Sequence, residues 1–174
     1  MATVNFQPQG YTTVTSWLVT DDTAALLDFI TEVFDGAETG RVATEDGAIG
    51  HAEIKVGDTM LLAFDSRPDW PALPALLRIW VADPDETVAK AVKAGARVVT
   101  ELSNAAWGDR GARVRDPFGN IWWVASHVED VPEAEVWTRM SAPGYAEAMA
   151  DAQETFDAEM TGRAGRSSRP VNPE

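Results

Sequence analysis

Apolar residues along this chain follow two spacings, every second residue and every third or fourth residue, in an order that occurs twice. In the first half they predict a strand, a helix and three strands, over residues 12–19, 24–34, 38–44, 48–56 and 59–64. In the second half the same order falls at residues 75–81, 86–94, 97–102, 113–115 and 121–125. Each half is therefore a β-α-β-β-β unit, and the proline-rich residues 65–74 separate the two.

The last two predicted strands form a hairpin around the turn Asp116-Pro117-Phe118-Gly119. Proline presets the backbone at the second position of such a turn, and glycine supplies a conformation that other residues resist. The strand that leaves the turn begins Ile121-Trp122-Trp123, which is rich in β-branched and aromatic residues. Because Trp107-Gly108-Asp109-Arg110 lies just upstream, this region carries an unusual load of tryptophan.

The hairpin and the segment before it resemble the vicinal-oxygen-chelate superfamily of glyoxalase I, bleomycin-resistance proteins and extradiol dioxygenases. They are most similar to its PhnB-like branch. The resemblance is also strong at Asp21-Asp22 and Asp28-Phe29 in the first half of the chain. It implies an α+β fold in which two βαβββ modules in tandem form a curved mixed sheet around a shared cavity, followed by C-terminal helices. The domain would span residues 1–131, with module one at 12–64 and module two at 75–128.

The C-terminal part departs from the resembled pattern. Residues 132–160 predict two helices, which Ser141-Ala142-Pro143-Gly144 separates. Because an additional helix on this fold commonly packs on a partner subunit, the resemblance leads us to expect a homodimer. Residues 161–174 are rich in Gly, Ser, Arg and Pro, and we predict that they are disordered.

The chain carries a formal net charge of −14 and no cysteine. Such acidity keeps a protein soluble, attracts small cations and repels the phosphates of nucleic acid, so we expect no nucleic-acid partner. No apolar run is long enough to span a membrane, and the N-terminus lacks the basic and apolar regions of a secretory signal. Together with the absence of disulfides, this leads us to expect a cytoplasmic protein.

Enzymes of the resembled superfamily hold a divalent ion with His, Glu or Gln from the first and last strands of each module. Carried over residue by residue, those positions are Thr15 or Val14, Leu62 or Ala63, Leu76 or Leu77, and Trp123. Aliphatic and indole carbons do not coordinate a cation, and the chain has only two histidines. We therefore predict neither a metal nor another cofactor.

Strand alternation assigns the remaining cavity residues, if the metal-ligand positions face inward. Tryptophans and a few polar groups then line the cavity, which is typical of a small-molecule site. Trp107 is a candidate lid residue in the adjacent loop. The candidate ligand-binding residues are Thr15, Trp17, His51, Glu53, Arg78, Trp80, Trp107 and Trp123.

Each of these residues also has a purely structural interpretation. Trp17, Trp80 and Trp123 could fill a closed core, as we expect of Trp122. Arg78 could bind a ligand carboxylate or phosphate, or it could pair with Glu53. Asp109 and Arg110 fit a salt bridge that holds the hairpin better than they fit a ligand site.

The favoured hypothesis is metal-independent binding of a small aromatic or cationic molecule, as in the bleomycin-resistance proteins that the chain resembles. An alternative is a metal-free isomerase, cyclase or lyase that uses His51 and Glu53 as acid and base. A metal-dependent glyoxalase-like lyase or dioxygenase is disfavoured by the missing ligands. A protein whose cavity has collapsed is the fourth possibility, and the fold alone does not choose among them.

Overall fold

The sequence repeat becomes two βαβββ modules in the computed structural model, which describes residues 4–163. Module one contains β1, α1, β2, β3 and β4, at Trp17–Thr20, Thr23–Phe34, Ala37–Ala43, Ile49–Val56 and Thr59–Asp65. Module two contains β5, α2, β6, β7 and β8, at Leu76–Trp80, Pro84–Lys93, Arg97–Asn104, Asp109–Arg115 and Ile121–His127. Helices α3 (Glu133–Met140) and α4 (Pro143–Met160) follow. The predicted α+β fold class is confirmed.

Two strands, β1 and β7, depart from their predicted bounds by more than two residues. Strand β1 begins at Trp17, so Thr15 lies in the loop before it rather than on the strand. The hydroxyls of Thr12 and Thr15 donate to nearby backbone carbonyls, and such local bonds compete with a sheet ladder. Strand β7 is longer than predicted and begins at Asp109.

Each module forms its own four-stranded mixed sheet, in the orders β1-β4-β3-β2 and β5-β8-β7-β6. The β1–β4 and β5–β8 pairs are parallel and the other pairs are antiparallel. Among residues 4–163, no ladder joins the two sheets, and the main contact between elements of different modules is that of α1 with α2. The modules are therefore joined through their helices.

A single hydrophobic core lies between the helices and the helix-facing sides of both sheets. Leu26 and Ile30 of α1 are fully buried, and each such side chain contributes about 1.5–3 kcal/mol relative to an exposed position. Phe34 packs on Trp122 with ring centroids 4.6 Å apart, so an aromatic contact crosses the module boundary. Trp122, at 1% exposure, is a core residue as predicted. The opposite side of each sheet, called its outer face below, points away from this core.

The predicted turn after β7 is built around the buried carboxylate of Asp116. It accepts hydrogen bonds from the backbone N–H groups of Phe118 and Asn120, from the Asn120 amide and from the Trp122 indole N–H, at 2.8–2.9 Å. Asn120 Oδ1 in turn accepts from the Ala75 N–H at 2.9 Å. Asn120 thus ties the turn to the start of β5, which fixes the strand that carries Arg78 and Trp80.

The C-terminal extension packs on its own chain. Helix α3 buries none of its residues, whereas α4 contacts β6. Within residues 4–163, no helix combines the length and the apolar character that crossing a membrane requires. The predicted disordered tail lies, from residue 164 onward, outside the described residues.

Candidate functional site

Module two carries an alternating stack of aromatic and guanidinium groups on its outer face. Arg78, Trp123 and Arg113 are direct neighbours across β5, β8 and β7. The Arg78 guanidinium lies over the rings of Trp80 and Trp123, at 4.1 and 4.6 Å from their centroids. The Arg113 guanidinium lies over Trp123 and over Phe156 of α4, at 4.5 and 4.8 Å. We call these five side chains the Trp–Arg stack.

Asp109 anchors one side of this stack. Its Oδ2 accepts from Arg78 Nη2 at 2.6 Å and from the Trp107 indole N–H at 2.7 Å, and its Oδ1 lies 2.8 Å from His127 Nδ1. Burial by itself raises the pKa of Asp109, but the three donors outweigh burial and lower it. The hydrogen bond between Asp109 and His127, together with a second one from His127 to Asp130, raises the pKa of His127. Asp109 is therefore held as a carboxylate that neutralises Arg78.

These contacts decide between the alternatives that the sequence left open. Arg78 pairs with Asp109 and not with Glu53. Arg110 makes a two-pronged bond to Asp85 at 2.6–2.7 Å, so the predicted Asp109–Arg110 bridge is wrong. The expectation failed because adjacent residues of a strand point to opposite sides of the sheet.

Arg113 has a different environment from Arg78. Its Nη1 donates to Thr100 Oγ1 at 3.2 Å and to the carbonyl oxygen of Ala152 in α4 at 2.7 Å. Among residues 4–163, Arg113 has no carboxylate partner. Burial lowers its pKa. A partly buried cation held only by neutral acceptors is the least compensated charge on this face.

The Trp–Arg stack borders a cavity of about 260 Å³ between the outer face of module two and α4. Arg78, Asp109 and Arg113 are its charged lining residues, and alanines supply much of the remaining surface. The aromatic lining comes from Trp107 and Trp123, and α4 contributes one wall through Ala148, Met149, Ala152 and Gln153.

Helix α4 is fixed over this cavity by polar contacts near its C-terminal end. The buried Glu159 carboxylate accepts through Oε1 from Arg97 and Arg115 on β6 and β7, and Thr155 bonds Thr100 at 2.9 Å. Burial raises the pKa of Glu159, and the two arginines outweigh that effect and lower it. Helix α4 thus packs on module two of its own chain and forms one wall of this cavity.

Module one holds a second group of candidate residues. Trp17 packs edge-on against His51 with ring centroids 5.6 Å apart, and His51 Nε2 lies 3.1 Å from Glu53 Oε1. Hydrogen bonds from Tyr11 and His51 lower the pKa of Glu53, and the bond to Glu53 raises that of Tyr11. The His51 and Glu53 side chains keep 38% and 30% exposure, so this pair faces an open surface.

The predicted site residues thus fall into two groups on separate sheets. Arg78, Trp80, Trp107 and Trp123 come together on module two, whereas Trp17, His51 and Glu53 come together on module one, with Thr15 in the loop before β1. Trp17 and Trp80 are 45% and 57% exposed, so the alternative that they fill a closed core is wrong.

Two residues of the stack were missed at the sequence level. Arg113 could have been found, because Val114 belongs to the core and its neighbour on the strand must face outward. Phe156 could not, because nothing in the helical pattern of 145–160 indicates which surface the helix covers.

The metal site that the fold implies does not fit the residues present. The carried-over positions hold the buried carbon side chains of Leu62 and Ala63, the exposed Leu76, and Trp123, whose ring lies between two guanidiniums. Within residues 4–163, no group of three or more His, Cys, Asp or Glu side chains is placed to hold a metal ion. A cation would also meet the positive charges of Arg78 and Arg113, which adjoin Trp123.

Two βαβββ modules with mixed sheets define a glyoxalase-type protein, and comparison with known sequences agrees. The profile of the "Glyoxalase/Bleomycin resistance protein/Dioxygenase superfamily" matches residues 10–124, so the chain belongs to this superfamily. The Mycobacterium tuberculosis protein Rv0887c (strain H37Rv) is 34% identical over 138 residues, which cover 73% of this chain and 81% of the relative.

Solved structures show the same fold. TioX from Micromonospora sp. ML1 is 26% identical with a TM-score of 0.56, and the match covers 66% of this chain and 97% of TioX. The PhnB protein from Bacillus cereus is 15% identical with a TM-score of 0.53, over 66% of this chain and 99% of that one. About a third of this chain therefore lies outside each of these matches.

Proposed function

We propose that this chain binds a small molecule with a flat aromatic part, without a metal ion, in the cavity between module two and α4. The observation that carries the proposal is the Trp–Arg stack beside a cavity of about 260 Å³. Small-molecule sites combine apolar walls with a few fixed polar groups. Here Trp107 and the alanines supply the walls, and Arg113 and Asp109 supply the polar groups.

The stack favours an aromatic ligand over a cationic one. Indole attracts a cation through its ring face, but two guanidiniums already lie over the Trp123 ring. A third cation would be repelled by both. An aromatic ring, in contrast, can pack against the Trp107 indole, which lines the cavity outside the stack.

A larger cleft of about 490 Å³ between the modules is a weaker candidate. Its apolar floor includes Phe34 and Trp122, and its rim includes Asp83, Glu86 and Lys90. These charged side chains already have partners within α2. Asp83 caps the N-terminus of the helix, and Glu86 pairs with Lys90 at 3.0 Å. The cavity beneath α4 is preferred because Arg113 still lacks a charged partner there.

Replacement of Trp123 tests the proposal. We expect Trp123→Leu to weaken binding of the neutral probe benzamide at least tenfold, measured by ligand-observed NMR titration, because the central ring of the stack is lost. The matched control is Trp137→Leu, since Trp137 is 67% exposed on α3 and lies outside the cavity. Equal affinity in the two variants would contradict the proposal.

The 3.1 Å contact between His51 and Glu53 supports a second candidate function, a metal-free isomerase, cyclase or lyase on module one. An ionised Glu53 would orient the imidazole, which would carry the proton. Turnover found in metal-stripped protein should disappear in His51→Ala while benzamide binding remains. Turnover that survives this substitution would exclude His51 as the acid or base.

The homodimer expected from the resemblance remains part of the proposal. Trp17, Leu76 and Trp80 are 45–60% exposed on the outer faces, and exposed apolar side chains of this size are typical of interaction surfaces. Sedimentation equilibrium of the full chain tests it, and a monomer at high micromolar concentration would overturn it.

A further inference from the structure

The Arg113 guanidinium is a partly buried charge with no counter-ion among the described residues. Building on the proposed function, we infer that the cavity takes an organic anion, a compact single-ring carboxylate whose carboxylate group binds Arg113. The inference depends on three observations: the unused donors of Arg113, the charge balance of the cavity and the size of the cavity.

Arg113 retains donors for a ligand. Both of its hydrogen bonds to residues 4–163 leave from Nη1, to Thr100 and to Ala152. Its Nε and Nη2 donate no hydrogen bond to these residues. Neither atom is one of the fully buried side-chain atoms that lack a hydrogen-bond partner, so both remain accessible. Guanidinium donors on one edge match the spacing of two carboxylate oxygens, so a two-pronged bond is available.

The charge balance inside the cavity is the reverse of that of the whole chain. The chain carries a formal net charge of −14, yet the charged side chains of the lining are two arginines and one aspartate. Asp109 is committed to Arg78, Trp107 and His127. The remaining positive charge is that of Arg113, so an anion is the ligand that completes the pairing.

The cavity also limits the size of the anion. Its volume of about 260 Å³ lies just below the range of about 300–1,000 Å³ that is typical of sites for drug-sized ligands. Ala125 on β8 lines the cavity from the sheet, and Ala148 and Ala152 line it from α4. These small side chains leave a slot between sheet and helix, which suits one flat ring.

Three probes of one shape and different charge test the inference on the unmodified chain: benzoate, benzamide and benzamidine. We expect benzoate to bind at least tenfold more tightly than benzamide and benzamidine to bind most weakly, by NMR titration at pH 7. Benzamide or benzamidine binding as tightly as benzoate would overturn the anion inference and leave the proposed function standing. Failure of all three to bind would overturn both.

Variants of Arg113 locate the anion. Arg113→Met should remove the preference for benzoate over benzamide, and Arg113→Lys, which keeps the charge but not the forked donors, should retain part of it. Arg41→Met is the matched control, because Arg41 pairs with Glu38 on module one. The ratio of benzoate affinity to benzamide affinity is measured within each variant. A substitution that weakens the binding of both probes equally therefore leaves the ratio unchanged. An unchanged preference in Arg113→Met would overturn the assignment.

Discussion

The outer faces of the two modules share a strand arrangement, but corresponding rows of residues on them carry opposite charges. On module one, the register places Trp17, Leu62 and Glu53 side by side across β1, β4 and β3. On module two, Arg78, Trp123 and Arg113 occupy the corresponding row across β5, β8 and β7. The first row contains a carboxylate beside an imidazole on an open surface, and the second contains two guanidiniums and an indole beneath a helix.

This difference shows that repetition of a fold does not repeat a site. The helix-facing positions of both sheets are apolar because both must close the same core. The outer positions have no such shared requirement, so each module is free to carry its own chemistry. The C-terminal helix then encloses the second face, where burial strengthens interactions between charged groups.

The largest expected effect is that of removing the helix. A chain that ends at Val131 loses the cavity wall formed by Ala148, Met149, Ala152 and Gln153, and Arg113 loses its bond to the Ala152 carbonyl. We expect at least a tenfold loss of benzoate affinity, about 1.4 kcal/mol, measured by NMR titration. The solvent exposure of the outer face of module one should not change.

Two further measurements control this experiment. The far-ultraviolet circular dichroism of the shortened chain should show that the two modules still fold. Trp137→Ala in the full chain alters the extension without altering the cavity and should bind benzoate normally. Benzoate affinity that is retained in the chain ending at Val131 would mean that module two binds without its helix, and the contrast with module one would fail.

A smaller effect on benzoate affinity is expected from Glu159→Gln, because this substitution weakens the docking of α4 without removing the helix. The side chain of Glu159 is 4% exposed and its carboxylate bonds two arginines, so the neutral amide should weaken α4 docking by about 1–3 kcal/mol. Its pKa in the folded chain is lowered, so the stabilisation is fully present above the ordinary value of 4.5 and is lost as pH falls through the folded pKa. Hydrogen exchange of α4 amides, followed by mass spectrometry, measures both effects.

Glu154→Gln is the matched control, because Glu154 is an exposed residue of the same helix. Exchange in α4 should be unchanged in this variant and should keep its acid dependence, whereas Glu159→Gln should remove most of that dependence. Equal exchange rates in the two variants would show that the Glu159 contacts do not hold α4 over module two.

The fold was largely predictable from the sequence because it follows local rules. Asp22 and Asp83 accept from the N–H groups of Ala25 and Glu86, as expected for helix caps, and the Asp116 turn formed where Pro117 and Gly119 predict it. Ala52 and Ile54 face the core, as alternation along β3 requires when His51 and Glu53 face the other side. The predicted start of β1 at residue 12 was wrong. The hydroxyls of Thr12 and Thr15 bond to the local backbone, and such hydrogen bonds leave no signal in the pattern of apolar residues.

The candidate site was less predictable, because it depends on which elements meet. Alternation correctly brought Arg78, Trp80 and Trp123 to one face. It could not show that Trp17, His51 and Glu53 would belong to a separate sheet, since that depends on how the helices of the two modules pack. Nor could it place Phe156 over Arg113, because the docking of α4 is set by contacts more than 40 residues apart in the chain, such as that of Arg115 with Glu159.

The smallest expected effect concerns the two histidines, which lie one on each module. Asp109→Asn removes the carboxylate that is the largest cause of the raised pKa of His127, so that pKa should fall towards 6.5 in an NMR titration. Because a raised histidine pKa stabilises the fold below 6.5 and the gain is lost as pH rises through the folded pKa, the variant should also lose this part of its pH dependence.

Glu53→Gln, beside His51 on module one, should leave the His127 titration unchanged. If His127 titrates identically in Asp109→Asn and the unmodified chain, Asp109 does not hold its charge in the way that neutralises Arg78, and Arg113 is no longer distinguished from Arg78 as the anion-binding residue.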